Sequence, residues 1–326
     1  MSRPRVVVLG AGIAGLTAAR LLAADLDVVV LDKGRGVGGR MATRRIGDAT
    51  FDHGAQFVTT HSPGFAATVQ GWVDDGVVSP WFRGRIGPSG LTGDDGHTRF
   101  RGTVSMNAVA KHLARELDVR TATRVAALGH DDTSWQVVLD DGGHLDADAV
   151  VVTAPVPQAL DLLAAGGVVL SPGDADALSR IAYDPCLALM AALDGPSGLG
   201  KPGAVDPVAG PIDWMADNQA KEVSAVPAVT IHATAGYSRD HWESEDALVA
   251  HELLAAAALA ATAIPGAVQI QRWRYAKPSV AHPGPCLAAA HIPPLVFAGD
   301  AFGGAKVEGA ALSGVAAAEA LRSVLA

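Results

Sequence analysis

The chain has 326 residues, 49% of them hydrophobic, enough to bury a core in one large domain or two interwoven ones, which excludes wholesale disorder. Acidic residues (34) outnumber basic ones (25), a formal net charge of −9 that argues against nucleic acid as a partner. Two cysteines, Cys186 and Cys286, lie far apart and in no metal-ligand spacing, so no metal site is expected, and the location expected is a reducing, cytoplasmic one.

Arg5–Leu9 reads as a buried strand, 13–24 as a helix and 28–31 as a second buried strand, a βαβ unit. Arg3 and Arg5 precede too short an apolar run for a signal peptide, and that run stops at a glycine turn. MNAVAKHLARELD (106–118) has helical spacing, with Met106, Val109, Ala110, Leu113 and Leu117 on one face. Short strands are predicted within 119–129, 134–142 and 144–155, with Asp141-Gly142-Gly143 as a turn. From Val156 to about His291 prolines, glycines and tryptophans become frequent, and a second region of mixed strand and helix is expected. Within it, LLAAAALAATAI (253–264) is too short for a membrane span of ~20 residues and reads as a buried alanine-rich helix; no membrane partner is expected. PLVFAGD is a returning strand that ends at Asp300, followed by a small-residue helix over 307–325.

Gly10, Gly12 and Gly15 form a dinucleotide fingerprint: a tight turn, a close backbone approach to a pyrophosphate, and a close strand–helix contact. The following helix start offers unpaired N–H groups to phosphate. Asp32, after the second strand, is placed to accept hydrogen bonds from an adenosine ribose. A second glycine cluster, RGVGGR (35–40), follows at once. A nicotinamide dehydrogenase needs no second loop there, whereas FAD extends beyond its pyrophosphate and calls for another close backbone approach, by Gly38 and Gly39, with Arg40 able to pair with phosphate. In FDHGAQF (51–57), Asp52 and Gly54 read as a turn, Gln56 carries a donor and an acceptor, and His53 reads as structural. Gly299 and Asp300 end the last strand, where Asp300 can bind ribityl hydroxyls and the helix start near Val307 can stabilise negative charge on a reduced flavin. GPSGLGKPG (195–203) fails the phosphate-loop pattern because Pro196 and Pro202 disallow the helix, so no second nucleotide site is expected.

Together LGAGIAGL, DKGRGVGGRMATRR, FDHGAQFVT, QRWRYAKP and AGDAFGGAKVEGAALSG resemble the FAD-dependent amine oxidase superfamily, and within it the renalase-like branch, over nearly the whole chain. The resemblance implies an α/β fold: a glutathione-reductase-like, Rossmann-type FAD-binding domain (1–60, 102–155 and 290–326) and a substrate domain on a mixed or antiparallel sheet (61–101 and 156–289). It implies noncovalent FAD held by Gly10, Gly12, Ala14, Gly15, Asp32, Lys33, Gly39, Arg40, Met41, Ala55, Gln56, Val125, Gly299, Asp300 and Val307. It also implies hydride transfer from a dihydronicotinamide-type small molecule to flavin N5, with molecular oxygen as acceptor and hydrogen peroxide as product; no strong general base is required. Candidates to line the pocket are Trp214, Asn218, Lys221, Trp273 and Tyr275. The chain departs from the branch at WMADNQAKEVSA (214–225), which lacks its arginines, and at Gly-Asp-Ala-Phe, where Gly-Asp-Trp is usual. Such a site is less suited to a diphosphate-bearing substrate unless Arg83, Arg85 or Arg239 substitutes. Oxidation of another small amine or a biosynthetic intermediate, or a purely structural FAD, are the alternatives.

Overall fold

The computed structural model describes residues 3–206, 210–263, 265–290 and 292–325. They form two compact units: residues 3–39, 110–183 and 277–325, and residues 40–109 and 184–276.

The first unit is built on a six-stranded sheet. In spatial order its strands are Leu287–Ala288, Leu295–Phe297, Ala149–Val152, Arg5–Leu9, Asp27–Leu31 and Asp118–Arg120. All neighbours are parallel except Leu287–Ala288, which runs antiparallel on the edge. Val7 lies opposite both Val150 and Val29, so the central strands are apolar on both faces, as a doubly covered parallel sheet requires. The helix Ile13–Leu22 packs on the helix Val307–Leu325 at a backbone separation that only small residues allow; a Cβ on Gly314 would stand 2.3 Å from the Ala14 carbonyl oxygen. A three-stranded antiparallel sheet (Val125–His130, Trp135–Leu139, His144–Ala147) completes the unit, with Trp135 donating its indole N–H to the Pro294 carbonyl.

Two readings of the sequence change here. The helix expected over 106–118 spans only Asn107–Leu113: Glu116 adopts a left-handed φ of 65°, and the chain straightens into Asp118–Arg120 beside Asp27–Leu31. Residues 156–183, expected in the substrate domain, cluster with the first unit, because Val156, Ala159 and Leu163 of the helix Val156–Ala165 pack against Val150, Val152 and Leu128.

The second unit carries a five-stranded sheet in the order Ala204–Val205, Ile212–Asp217, Ala228–Ala233, Ala182–Leu193 and Pro265–Val280. Ile212–Asp217 and Ala228–Ala233 pair antiparallel, as do Ala228–Ala233 and Ala182–Leu193. Alternation sorts the two faces. Leu187, Leu189, Met215, Val229 and Ile231 face the helix Asp246–Ala257 and its Val249 and Leu253. Met190 and Ala228 face the hairpin Thr43–Ile46/Ala49–Asp52 through Ala49 and Phe51. That packing places residues 40–60, expected with the dinucleotide domain, in the second unit. The alanine-rich run at 253 is helical only to Ala257, where Ala258 takes a left-handed φ of 47°; Ile264 lies outside the described residues. Among the described residues no helix is long and apolar enough to cross a membrane.

Candidate functional site

In the first unit the two glycine clusters meet. The Gly38 N–H donates to the Ala11 carbonyl at 2.8 Å, and a Cβ on Gly39 would lie 3.5 Å from the Gly12 Cα. Gly15 admits no side chain, because its Cβ would stand 2.0 Å from the Gly10 carbonyl oxygen. Gly12 is the reverse case: a Cβ there would meet nothing within 4 Å, and Gly12 begins the helix Ile13–Leu22 with no side chain capping it. The first N–H groups of that helix therefore open onto clear space, and Ala14 lies in this first turn. Asp32 organises the loop from below. Its carboxylate accepts the Ala11 N–H at 2.7 Å and the Gly34 N–H at 2.6 Å, leaving further lone pairs for ribose hydroxyls. The Asp32 carbonyl accepts from Thr123 N–H at 2.9 Å, which brings the start of Val125–His130 beside it. Lys33 instead points to Gln158, with 2.9 Å between Nζ and Oε1. Thr153 links the first turn to the last strand: its hydroxyl donates to the Leu9 carbonyl at 2.9 Å, and its own carbonyl lies 3.8 Å from where a Gly299 Cβ would be. Gly299 is held by Ser313 Oγ at 2.8 Å; Asp300 and Val307 each open a helix beyond it.

In the second unit the DHGAQF loop is clamped from several sides. The Ala55 N–H donates to the Arg40 carbonyl at 2.8 Å, and Gly54 is pressed so closely on Arg40 that a Cβ would sit 1.9 Å from that oxygen. Arg40 itself donates to the Tyr275 carbonyl at 3.2 Å, and Met41 is buried. Gln56 folds back to donate to the carbonyls of Asp52 and Gly54. Beneath the loop Lys221 and Asp52, both 0% exposed, form an ion pair at 2.9 Å; Lys221 also donates to Gln56 Oε1 at 3.3 Å and stands 5.2 Å above the Trp81 ring. Burial pulls the Lys221 pKa down, and the Asp52 carboxylate opposes that shift. The other Asp52 oxygen accepts from the Thr43 hydroxyl (2.7 Å) and the Met106 N–H (2.9 Å). Asn218 accepts from the Asp52 N–H and donates to Thr230 Oγ1. Asn218 and Lys221, expected to line a substrate pocket, are thus fully buried braces of the loop.

His53 is 3% exposed and stacks on Trp273, with ring centroids 5.3 Å apart and an angle of 15°. The Trp273 indole N–H donates to the His53 carbonyl at 3.0 Å, and His232 Nε2 contacts the same oxygen at 3.2 Å. Desolvation, reinforced for His53 by Arg44 and His232, holds both imidazoles at a pKa of about 4, so both are neutral at pH 7. Trp214 pairs across the sheet with His232 and packs on Phe57 at 5.6 Å. Phe57 also meets Trp81 and Phe82, and Arg99, bound to Asp95, lies over the Phe57 ring. Thr230, His232, Phe57, Trp81 and Phe82 were not singled out in the sequence, and Asp52 was read only as a turn residue, because nothing local distinguishes them from core or turn residues. Arg83 and Arg85 share the strand Val78–Gly87 and Arg239 lies in the helix Ala235–Asp240; Arg83 pairs with Asp94 and Arg239 with Asp184.

Residues 8–72 match an NAD(P)-binding Rossmann-like domain, and residues 87–322 match the family described as flavin containing amine oxidoreductase. The chain belongs to the flavin containing amine oxidoreductase family. It is an FAD-dependent oxidoreductase. It is similar to renalase of Mus musculus, with 25% identity over 98% of each chain. Two solved structures share its fold. One, from Exiguobacterium sp. 255-15, carries a provisional protoporphyrinogen oxidase designation (TM-score 0.73, 13% identity, 99% of each chain). The other is a putrescine oxidase variant redesigned in cofactor binding (TM-score 0.72, 16% identity, 98% of this chain and 99% of that one). The flavoprotein family explains the first unit: the open space over Gly12, the uncapped helix start and the ring of close backbone approaches fit the diphosphate of FAD.

Proposed function

We propose that this flavoprotein oxidises a neutral dihydropyridine ring of the dihydronicotinamide type, with molecular oxygen as the final acceptor and hydrogen peroxide as product. In this reading the first unit is the FAD-binding domain, in which Gly10, Gly12, Ala14, Gly15 and Gly39 receive the diphosphate, Asp32 receives the adenosine ribose and Asp300 the ribityl chain. The second unit is the substrate domain. FAD, when bound, supplies the acceptor for a hydride and passes two electrons on to oxygen.

The observation that carries this reading is the protonation state around the DHGAQF loop. His53 and His232 are neutral with pKa values of about 4, and Lys221 and Asp52 are spent on each other. An alkylamine is an ammonium ion at neutral pH and must lose a proton before it can give up a hydride, which calls for a base with a pKa near 7. A dihydropyridine is already neutral, and restoring its aromaticity drives the transfer, so the protein has only to hold the planar ring and exclude water. Trp273, Trp214 and Phe57 supply flat apolar surface for such a ring.

The test is anaerobic stopped-flow bleaching of the bound flavin by isomeric dihydronicotinamides, as dinucleotides and as mononucleosides, beside a panel of amines. Bleaching by a dihydronicotinamide, with stoichiometric peroxide on readmitting air, is expected. Fast bleaching by the dinucleotide and much slower bleaching by the mononucleoside would identify a nucleotide substrate, and equal rates would argue against one. Bleaching by amines alone would make the enzyme an amine oxidase, and slow reoxidation of dithionite-reduced flavin in air would make FAD structural.

A further inference from the structure

Gln158 belongs to none of the glycine motifs, yet its amide oxygen accepts from the Lys33 ammonium at 2.9 Å across 125 residues. The two residues flank the dinucleotide fingerprint. The strand Arg5–Leu9, which runs into Gly10, lies between Asp27–Leu31, which leads to Lys33, and Ala149–Val152, which leads to the helix of Gln158. Neighbouring strands stand about 5 Å apart, so the Lys33–Gln158 bond bridges about 10 Å along the carboxyl edge of the sheet. Leu9 lies opposite both Leu31 and Val152, which puts Asp32, Gly10 and Thr153 in a row on that same edge.

Both ends of the bond rest on anchored backbone. On one side the Asp32 N–H donates to the Arg120 carbonyl at 3.0 Å, and the Ala122 N–H donates to the Gly34 carbonyl at 2.7 Å. On the other the Val156 N–H donates to the Tyr183 hydroxyl at 3.3 Å, and Gln158 sits in the first turn of Val156–Ala165. The variable element is therefore the pair of side chains. Lys33 is half-buried; burial and the nearby Arg124 guanidinium lower its pKa, and Asp32 opposes them. Gln158 offers this ammonium a neutral acceptor and fixes its direction. Without that acceptor a lysine spreads over many rotamers, and it must give up that freedom when a ligand engages it. An ammonium has three N–H donors, and Gln158 takes one. We infer that Gln158 is a positioning residue for FAD, holding Lys33 beside Asp32 with two N–H groups left to donate to oxygens of the adenosine half of the cofactor. This rests on the placement of that half at Asp32 and is independent of the substrate.

The inference is tested on the FAD-loaded protein by following flavin fluorescence as FAD leaves on dilution, at low and at high salt. Gln158→Ala and Gln158→Leu should release FAD about 2- to 10-fold faster than wild type, the worth of one hydrogen bond. Gln158→Glu keeps an acceptor for Lys33, so at low salt it should release FAD no faster than wild type, and salt should speed it up. Lys33→Met should release FAD at least as fast as Gln158→Ala, and Lys33→Met/Gln158→Ala no faster than Lys33→Met. That non-additivity separates positioning from a structural role, since a residue that only supports its helix would speed release in either background. Release from Gln158→Ala at the wild-type rate overturns the inference, and so does an equal acceleration with and without Lys33. Equal rates for Gln158→Glu and Gln158→Leu also overturn it, and this arm leaves Lys33 in place. If Asp32→Ala retains FAD as wild type does, the placement of the adenosine half fails; if Asp32→Ala weakens FAD and Gln158→Ala does not, the placement stands and only the role of Gln158 falls.

Discussion

Replacing Lys221 by methionine tests whether the floor of the DHGAQF loop is built as described. Both partners of the Lys221–Asp52 pair are 0% exposed, and the ammonium is enclosed by Asp52 at 2.9 Å, Gln56 at 3.3 Å and the Trp81 ring at 5.2 Å. Lys221→Met fills similar space but strands the Asp52 carboxylate, whose remaining partners, Thr43 and Met106, engage only its other oxygen. Breaking a buried pair from one side costs about 3–5 kcal/mol. At about 2–4 °C per kcal/mol, the melting temperature should fall by roughly 6–20 °C. Asp52→Asn alone should cost a similar amount, since it leaves a buried ammonium facing an amide. The double variant Asp52→Asn/Lys221→Met removes both charges, so it should recover part of the loss, with a coupling energy of about 2–3 kcal/mol. The assay is urea unfolding of FAD-saturated protein followed by circular dichroism, for the wild type, both single variants and the double. Additive single effects, or a Lys221→Met cost within about 0.5 kcal/mol, the usual range for a surface change, would refute the buried pair.

Asp32→Ala should weaken FAD binding by about 1–3 kcal/mol, read from FAD retention on dilution, because it removes the acceptor proposed for the adenosine ribose and also releases the Ala11 and Gly34 N–H groups. Heat or acid should release intact FAD into the supernatant; colour remaining with the precipitate would indicate a covalent link. Stability should fall with acidification between about pH 6.5 and 4. His53 and His232 stay neutral in the fold down to about 4, whereas the unfolded chain takes up those protons from about 6.5, so the slope is on the order of 1.4 kcal/mol per pH unit for each histidine. Urea midpoints across that range check this, and His232→Gln should flatten the profile. Gly54→Ala should give little soluble protein, because its Cβ would meet the Arg40 carbonyl at 1.9 Å, and a soluble yield equal to wild type would contradict that contact.

The cofactor was legible in the sequence because the motif proposed to bind it acts through backbone geometry over short stretches. Gly10, Gly12 and Gly15 are spaced by the demands of one turn and one helix start, and Asp32 follows at the end of the next strand, so a run of some thirty residues carries the message. The alternation and apolar runs that mark the strands are equally local, and the sheet around Arg5–Leu9 follows from them. Helix ends were less legible, since a left-handed residue such as Glu116 or Ala258 terminates a helix without a glycine to announce it. The surroundings of the DHGAQF loop are different in kind. Lys221 meets Asp52 across 169 residues, and Trp273 meets His53 across 220. Whether a lysine is a solvated surface charge or a buried brace, and whether a histidine is neutral with one nitrogen unpaired, depends on what the fold packs around it. Those pairings exist only once the sheet Ile212–Asp217/Ala228–Ala233 has closed over the DHGAQF loop, because desolvation and hydrogen-bond satisfaction are properties of the enclosed volume and not of the residues that border it in sequence.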